Sequence, residues 1–517
     1  RLFCIMVLQS FLWGWDMQVV YVSDDGCTHW IDAKLRPTIT LDQAIAQSQP
    51  GQLIRMIAGD YCFDEPLRFP HSGTAKQPII VRGEPGAVIN AGRRPDRSVS
   101  ASNPGREGYA VFQFIEVAHI RLELFTVKEA WPSTVYIENS HNLAFRSLDI
   151  CDGTYAFYAN GPRTTAISIT NCRWVQDPDI WRQIRWDEIH DGKDANGNVI
   201  EVAYRYLNGA FFGADDIAGD VEISRNDICD CYNGIRMDVS NENLDAPVGS
   251  FNRDVRIFDN QFRYIRDNPI EPEATAVGWW IGRNRFYNCH KLFSQDGVRG
   301  GFWYYFGNIC WFDSRPGPEG DENNGGAVFK LGKGGSVAQP DYVSACFHNS
   351  FFLRQKYIKK GTTRGLINAR NAIEHADPTK LPVDLMPLDQ TFFGPADKLT
   401  FSGVGPLPVS FSGDLANHPT YPAVFDPYDG VLSDPRPAEH ALFDDGLGGC
   451  FDLRAEHQEG YDTALAIPMP DGGTWMCDGG FWPGAMTDTE LFSGPEYVPV
   501  DLAYIRSLPI PKAKGEG

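Results

Sequence analysis

The side chains best suited to chemistry recur at one place in a series of short strand-like segments. These segments are Ile235-Arg-Met-Asp238, Ile270-Glu-Pro-Glu273, Leu292-Phe-Ser-Gln295 and, more loosely, Val328-Phe-Lys330. Alternate residues of a strand share one face. If the apolar residues Ile235, Ile270 and Leu292 point inward, the outward side chains are Arg236, Asp238, Glu271, Glu273 and Gln295, with Lys330 one segment beyond. Stacked as strands about 4.8 Å apart, the segments would form one charged column.

The column combines three carboxylates with basic side chains, which suits metal chemistry or acid–base chemistry. Carboxylates this close repel one another unless a proton or a cation neutralises them. Carboxylate oxygens suit Ca²⁺, so Glu271, Glu273 and Asp238 are candidate calcium ligands. Two carboxyl groups flanking a glycosidic bond can instead act as acid and base, or as acid and nucleophile. A solvated ladder of charge pairs, such as Arg236 with Glu271, is the interpretation that needs no function.

A second candidate lies in a stretch rich in tryptophan and acidic residues at 173–219, because long insertions on a rigid scaffold commonly carry function. It contains Trp186-Asp-Glu-Ile-His190-Asp191. A histidine beside carboxylates can shuttle protons near neutral pH, so His190 is a candidate catalytic residue. A histidine hydrogen-bonded for structural reasons fits equally well. Candidates for substrate binding are Trp181, Trp186, Tyr204 and Gln295.

The elements that must position these residues repeat along the chain. Short alternating strands end on an asparagine, as in Val221-Glu-Ile-Ser-Arg-Asn226. The asparagines of the series are Asn171, Asn226, Asn260, Asn284, Asn308 and Asn349, and two successive intervals among them are 24 residues. A shortest interval with longer ones around it is typical of a solenoid whose coils carry insertions. Asparagine tolerates the left-handed conformation of a sharp bend, and stacked amides can hydrogen-bond as a ladder.

The N-terminal pattern makes the fold more specific. Thr40 can cap a short helix with Leu41, Ala44 and Ile45 on one face, which Pro50-Gly51 ends. An amphipathic helix, then Pro-Gly-x-x-Ile, then Gly-x-Tyr, then coils marked by asparagine, resembles the pectate-lyase-like family over about residues 20 to 370. The resemblance implies an all-β fold, a right-handed parallel β-helix with a short capping helix. Relatives in that family are polysaccharide lyases, uronate epimerases and glycoside hydrolases.

The resemblance also bears on the column. Glu271-Pro-Glu273 resembles the Glu-x-Glu calcium ligands of chondroitinase-B-like and alginate lyases. In β-helix lyases, Ca²⁺ neutralises the substrate carboxylate while a lysine or arginine removes the proton at C5. A lysine follows their second glutamate by a few residues, whereas this chain has Ala274-Thr-Ala-Val-Gly278 there. Lys330, Lys333, Lys291 or Arg236 would have to act as that base.

Composition and segment lengths limit the class of protein. The chain has 517 residues and a net charge of −21, which argues against general binding of nucleic acids or anionic membranes. No internal stretch is long enough to span a membrane. Residues 1–19 are mostly apolar after Arg1 and resemble a signal-peptide remnant, with a buried first strand as the alternative.

The solenoid is predicted over 20–372, with insertions at 173–219 and 313–326. An irregular extension packed along the solenoid is predicted over 373–517.

Together these features predict an exported enzyme, secreted, periplasmic or at the cell surface, that cleaves a polysaccharide. The favoured reaction is calcium-assisted β-elimination of a uronate-containing glycan, with Arg236 or Lys330 handling the proton. A glycoside hydrolase that uses the same carboxylates is the first alternative. A uronate epimerase and a non-catalytic glycan-binding or adhesion protein are the others.

Overall fold

Three long parallel sheets dominate the computed structural model. The structure describes residues 17–95, 104–193, 196–199, 204–295, 299–312, 327–330, 344–353, 358–360, 366–369, 371–375, short strands between 400 and 453, 465–477 and 492–508. Successive strands of the chain enter the three sheets in turn, so each full turn is a coil that stacks on the previous one at about 4.8 Å. This is the parallel β-helix that the sequence predicts.

The strands of each sheet follow in spatial order. Sheet A contains Gln18–Val22, Gln52–Met56, Ile79–Gly83, Ala118–Glu123, His141–Arg146, Thr165–Thr170, Gly219–Ser224, Arg253–Phe258, Thr275–Gly282, Arg299–Phe306, Ser344–Phe347, Leu366–Ala369 and Ser410–Ser412. Sheet B contains Gly59–Tyr61, Ala87–Asn90, Thr126–Lys128, Asp149–Cys151, Arg173–Val175, Asp227–Cys231, Gln261–Ile265, Arg285–Tyr287, Ile309–Trp311, Ser350–Leu353, Ala372–His375, Leu415–Ala416 and Arg436–Pro437. Sheet C contains Leu67–Arg68, Ala110–Ile115, Ser133–Glu138, Tyr155–Asn160, Ala210–Asp215, Asn233–Asp238, Ile270–Pro272, Lys291–Ser294, Ala327–Lys330 and Ile358–Lys360.

The remaining described elements are short. The α-helices are Leu41–Ala46, Trp186–His190 and Leu502–Ser507, and the 3-10 helices are Arg205–Leu207 and Asn241–Asn243. Antiparallel pairs join His29–Ile31 to Lys34–Arg36, Thr400–Phe401 to Gly405–Pro406, Phe443–Asp445 to Cys450–Leu453, and Leu465–Pro468 to Thr474–Cys477. No helix in these ranges is long and apolar enough to cross a membrane.

The hydrophobic core lies inside the coils and consists of inward side chains stacked strand on strand. In sheet C one such row is Phe157, Phe212, Ile235, Ile270, Phe293 and Phe329, each at most 1% exposed. Burial of each such side chain contributes about 1.5–3 kcal/mol. Because strand side chains alternate, the same pairing that stacks this row inside the coil stacks its neighbours on the outer face.

An asparagine ladder stabilises the bend between sheets A and B. The ladder consists of Asn226, Asn260, Asn284, Asn308, Asn349 and Asn371, all buried. At each step the amide oxygen of one asparagine accepts from the backbone N–H and the side-chain amide of the previous one, as between Asn260 and Asn284 at 3.0 Å for both bonds. The ladder is confirmed, and it extends one coil further than the predicted series, to Asn371.

Two details of the ladder differ from the prediction. Asn171 precedes the ladder position, which Cys172 occupies, and the Cys172 N–H donates to Asn226 Oδ1 at 2.8 Å. The left-handed conformation belongs to the residue before each of the first five ladder asparagines: Arg225, Asp259, Arg283, Gly307 and His348 all have positive φ. The bend is made one residue earlier because the asparagine itself must direct its amide along the stack.

The N-terminal helix is confirmed. Leu41, Ala44 and Ile45 are its buried residues, and they join the core beside Val22 and Ile54 of the first coils. The helix therefore covers apolar side chains that the end of the solenoid would otherwise expose.

Some segment boundaries differ from the predicted ones. The insertion at 173–219 includes the strands Arg173–Val175 and Ala210–Asp215, so the added segment is 176–209. Sheets A and B continue beyond residue 372, as the strand Ser410–Ser412 shows. The predicted insertion at 313–326 and residues 1–16 lie outside the described residues, so export stays a prediction.

The described C-terminal segments, 465–477 and 492–508, pack on the outer face of sheet A. The Tyr304 hydroxyl donates to the Pro468 carbonyl at 2.8 Å, and the Val500 N–H donates to Asp254 at 2.7 Å. Ile467 and Ile505 are buried against sheet A aromatics such as Trp280. These segments cover sheet A, whereas the residues of the predicted column belong to sheet C.

Candidate active site on sheet C

Sheet C places the basic and acidic side chains of the column on neighbouring strands. Arg236 pairs with Glu271 in the strand register, and Lys330 lies on the second strand beyond. Asp238 ends the strand that carries Arg236, and Glu273 directly follows the strand that carries Glu271. The parallel pairing thus brings together five residues that are up to 94 positions apart in sequence, from 236 to 330.

The register of one strand differs from the prediction. Phe293, not Leu292, pairs with Ile270 and points inward. On this strand Ser294, which pairs with Lys330, therefore takes the outward position that was predicted for Gln295. Gln295 is fully buried, and its amide donates to the Tyr305 hydroxyl in the core at 2.6 Å. The prediction that Gln295 binds substrate does not agree with this position, because two consecutive apolar residues, Leu292 and Phe293, left the register ambiguous.

Two cations of the protein neutralise the column. Arg236 Nη2 lies 3.0 Å from Glu273 Oε2, and Arg236 Nε lies 4.0 Å from Glu271 Oε2. Lys330 Nζ lies 3.3 Å from Glu271 Oε1, and the two side chains are 15% and 5% exposed. Water and salt screen such a buried pair poorly. Removing one partner of a buried ion pair leaves an uncompensated charge, so these contacts constrain one another strongly.

Burial and a neighbouring carboxylate favour the protonated form of Glu271. Burial raises the pKa of Glu271 to about 7, the charge of Glu273 adds to the rise, and Lys330 opposes it. Burial also raises the pKa of Glu273 and that of Asp238. The charge of Asp238 contributes to the raised pKa of Glu273, because two neighbouring carboxylates repel each other. A carboxyl of raised pKa beside a second carboxyl pair suits general acid and base catalysis.

A polar cluster at the turn between sheets B and C supports Glu271. Asn268 is fully buried, and its amide donates to Glu271 Oε1 at 2.8 Å. Asp267 lies 3.7 Å from His290 Nδ1. Burial opposes ionisation of Asp267, but the neighbouring His290 and the charges of Lys291 and Lys330 lower its pKa well below the usual range. The cluster therefore adds a fixed negative charge and an oriented amide next to the proposed acid.

Sequence reasoning assigned no role to Asp267, Asn268 or His290. They lie in turns, where the alternation that identifies outward strand residues does not apply. One signal was present: Asp267-Asn268 and His290-Lys291 each lie shortly before a sheet C strand, one coil apart. Polar residues at equivalent turns of successive coils indicate a cluster.

The insertion at 176–209 packs against this turn. The Ile184 carbonyl accepts from Arg266 Nε at 2.9 Å, and the Trp186 ring centre lies 5.9 Å from Lys291 Nζ. The insertion therefore reaches the turn beside the column, and Trp186 is the tryptophan that it places there.

The other predicted residues of the insertion differ in how far their side chains are buried. Trp181 is buried and packs against Tyr264, so stacking of its ring on a sugar is not supported by its position. The His190 side chain is 47% exposed and stacks on Trp186, and its Nδ1 donates to Asp191 Oδ1 at 2.7 Å. Tyr204 is partly exposed and packs in the small apolar cluster of the insertion. The roles predicted for His190, Trp186 and Tyr204 stay predictions.

The residues of the column do not fit Ca²⁺. Glu271 Oε1 receives Asn268 and Lys330, and Glu273 Oε2 receives both Nε and Nη2 of Arg236. Ca²⁺ takes six to eight oxygen ligands, waters included, whereas these two carboxylate oxygens already face positive or donor groups. Across the described ranges, no group of three or more His, Cys, Asp or Glu residues could hold a metal ion. Arg236 and Lys330 supply the positive charge that a metal would bring.

Several solved enzymes are similar to this chain in structure. The GH136 lacto-N-biosidase from Eubacterium ramulus is 11% identical with a TM-score of 0.42, over 69% of this chain and 64% of that one, slightly less than two thirds of its length. A mannuronic-acid-specific polysaccharide family 6 lyase from human gut microbiota is 12% identical with a TM-score of 0.45, over 81% and 91%. Pectate lyase Pel9A is 12% identical with a TM-score of 0.35, over 87% and 84%. No family profile and no curated protein sequence matches the chain.

The fold itself follows from the sheets rather than from these matches. Three long parallel sheets, formed by stacked coils, and the asparagine ladder define a parallel β-helix. On its sheet C face this β-helix carries a buried acid–base cluster centred on Glu271.

Proposed function

We propose that this protein is a glycan-cleaving enzyme in which Glu271 acts as general acid. The observation that supports this most directly is the buried Glu271 carboxyl, whose pKa of about 7 gives it a transferable proton at neutral pH. Asn268 and Lys330 hold its Oε1 at 2.8 and 3.3 Å. The column follows the solenoid axis, which suits an extended polymer of sugars better than a compact molecule.

The reaction that uses these groups most directly is hydrolysis. Glu271 gives its proton to the glycosidic oxygen as the bond from that oxygen to the anomeric carbon breaks. The Asp238–Glu273 pair accepts a proton from the attacking water, whose oxygen bonds to the anomeric carbon. Arg236 contacts both glutamates and keeps the negative charge of the pair close to the reacting bond. Proton and electron pairs balance without a cofactor.

β-Elimination is the second candidate, and the cations support it. Arg236 and Lys330 lie beside the column, where they could neutralise a uronate carboxylate in place of a metal. The C5 proton would then pass to a basic group as the C4–O bond breaks, which leaves an unsaturated sugar. The same residues serve both candidates, so the products must distinguish them.

A panel of neutral and uronate-containing polysaccharides tests the proposal. Reducing ends and the ultraviolet absorbance of unsaturated uronate are followed together. Reducing ends without absorbance support hydrolysis, and a rise in both supports elimination. If neither signal appears across the panel, the proposed cleavage is wrong, and an epimerase or a glycan-binding protein becomes the better interpretation.

Activity is expected to fall as pH rises through about 7. The general acid must be protonated, and the pKa of Glu271 lies near this value, above its ordinary 4.5. Since Lys330 lowers this pKa, Lys330→Gln should move the decline to higher pH. Rates measured from pH 5 to 9 for both proteins test this. A decline at the same pH in wild type and variant would contradict the assignment.

Chelation of divalent cations is expected to leave activity and Tm unchanged. The carboxylates of the column are already paired with Arg236, Lys330 and Asn268, so no cation has to be present for them to coexist. The measurement compares cleavage rate and thermal melting with EDTA, without it, and after addition of Ca²⁺. Loss of activity in EDTA that Ca²⁺ restores would show that the predicted calcium site exists after all.

A further inference from the structure

An aromatic row runs along the outer side of sheet B, close to its turn into sheet C. We define the row as Tyr264, Tyr287 and Trp311, which come from three successive coils. Tyr287 and Trp311 occupy the same register position on adjacent strands. Ring centres are 5.3 Å apart between Tyr264 and Tyr287 and 4.9 Å apart between Tyr287 and Trp311. The row is therefore continuous over three coils.

The rings of the row are tilted and partly exposed. The planes of Tyr264 and Tyr287 are 70° apart, and those of Tyr287 and Trp311 are 40° apart, so the rings do not cover one another face to face. All three residues are partly exposed. The outward aromatics of sheet A differ, because Trp280, Tyr304 and the residues around them are buried under C-terminal segments. A contiguous row of partly exposed aromatic rings marks a binding surface.

Two arginines flank the row, and a chain of contacts connects the row to the cluster that supports Glu271. The Arg182 guanidinium lies 5.9 Å from the Tyr264 ring centre, and Arg285 is exposed two residues before Tyr287. On its inner side Tyr264 packs against Trp181, which lies beside Arg266, the residue before Asp267 of the cluster that supports Glu271. Flat apolar rings beside exposed hydrogen-bond donors match the two surfaces of a pyranose, an apolar ring face and a rim of hydroxyl groups.

We propose that the row binds a polysaccharide segment that lies parallel to the solenoid axis, with successive sugars over successive rings. Coils about 4.8 Å apart present one ring per coil, which is close to the length of one sugar unit in an extended chain. The polysaccharide bound by the row would be the substrate of the site on sheet C, and this link rests on the proposed function. Binding itself does not require cleavage.

The test measures retardation in native gels that contain polygalacturonate, alginate, xylan or galactan. It uses Glu271→Gln as the parent, so that the polymer stays intact. The parent should be retarded by at least one polymer, and Tyr287→Ala and Trp311→Ala should each weaken that retardation about tenfold, as for a residue central to an interface. Tyr287→Phe keeps the ring and should bind nearly as the parent does.

The control is Trp30→Ala, which removes an exposed tryptophan, 69% exposed, in the N-terminal hairpin. It should leave retardation unchanged. Circular dichroism melting confirms that each variant folds. Unchanged retardation in both row variants, equal loss in Trp30→Ala, or no retardation of the parent by any polymer would overturn the proposal. If the row variants lose binding while wild type cleaves nothing, the row stands and the proposed cleavage fails.

Discussion

Replacement of Glu271 by glutamine is expected to lower the rate of glycan cleavage by about 10²- to 10⁴-fold, the usual contribution of a general acid. Glutamine has the size of the protonated carboxyl but has no proton of comparable acidity. It still accepts hydrogen bonds, so Asn268 keeps a partner. The effect should therefore appear mainly in kcat, while Tm falls only by what the lost Glu271–Lys330 ion pair contributes. Initial rates on the polymer that wild type cleaves, together with thermal melting, test this.

Glu123→Gln is the matched control for this variant. Glu123 is also a buried glutamate, 6% exposed, and it pairs with Arg82 at 2.7 Å, but on sheet A. Its replacement removes the charge of a buried glutamate in an ion pair, as Glu271→Gln does, without touching sheet C. A cleavage rate that falls equally in both variants, or that stays above a tenth of wild type in Glu271→Gln, would contradict the role of Glu271 as acid.

Asn284→Ala is expected to destabilise the fold by about 3 kcal/mol or more, because each buried polar group left without a partner costs about 1–3 kcal/mol. Asn284 Oδ1 accepts from the backbone N–H and the amide of Asn260, and its own amide donates to the Ile257 carbonyl and to Asn308 Oδ1. Alanine removes all four bonds in the middle of the ladder. Unlike an exposed turn, this site is fully buried, so water cannot replace them.

Chemical denaturation of wild type and variant measures this loss, provided that both unfold in one transition. Asn243→Ala is the control, since Asn243 lies in a short 3-10 helix and makes one side-chain bond, to Ser240 at 3.3 Å. Its expected change is within about 0.5 kcal/mol, as for other surface substitutions. An unfolding free energy of Asn284→Ala equal to that of the control would show that the ladder contributes little to stability.

The fold was predictable because it repeats. Each coil must place apolar side chains inside and an asparagine at one bend, so errors at single positions do not hide the pattern. The series from Asn226 to Asn349 identified the ladder, although Asn171 was one residue out of place and Asn371 was missed. The N-terminal helix was predictable from its capping threonine and its apolar face, which are local signals.

The column was predictable in part for the same reason. Arg236, Asp238, Glu271 and Glu273 were found by alternation within short strands, and Lys330 by its distance along the repeat. Gln295 was misplaced because Leu292 and Phe293 are both apolar, and only the neighbouring strand decides which of them faces inward.

What the sequence by itself determined is the coil: its period, its inward rows, its ladder and the set of charged residues on one outer face. These follow from periodicities of the chain. Only the tertiary structure decided that Arg236 and Lys330 contact the glutamates of the column, that Asn268 donates to Glu271, and that Trp181 is buried while Tyr287 and Trp311 are partly exposed. Those features depend on contacts between coils and on the docking of an insertion, where side-chain direction and burial are set by neighbours that are far apart in sequence.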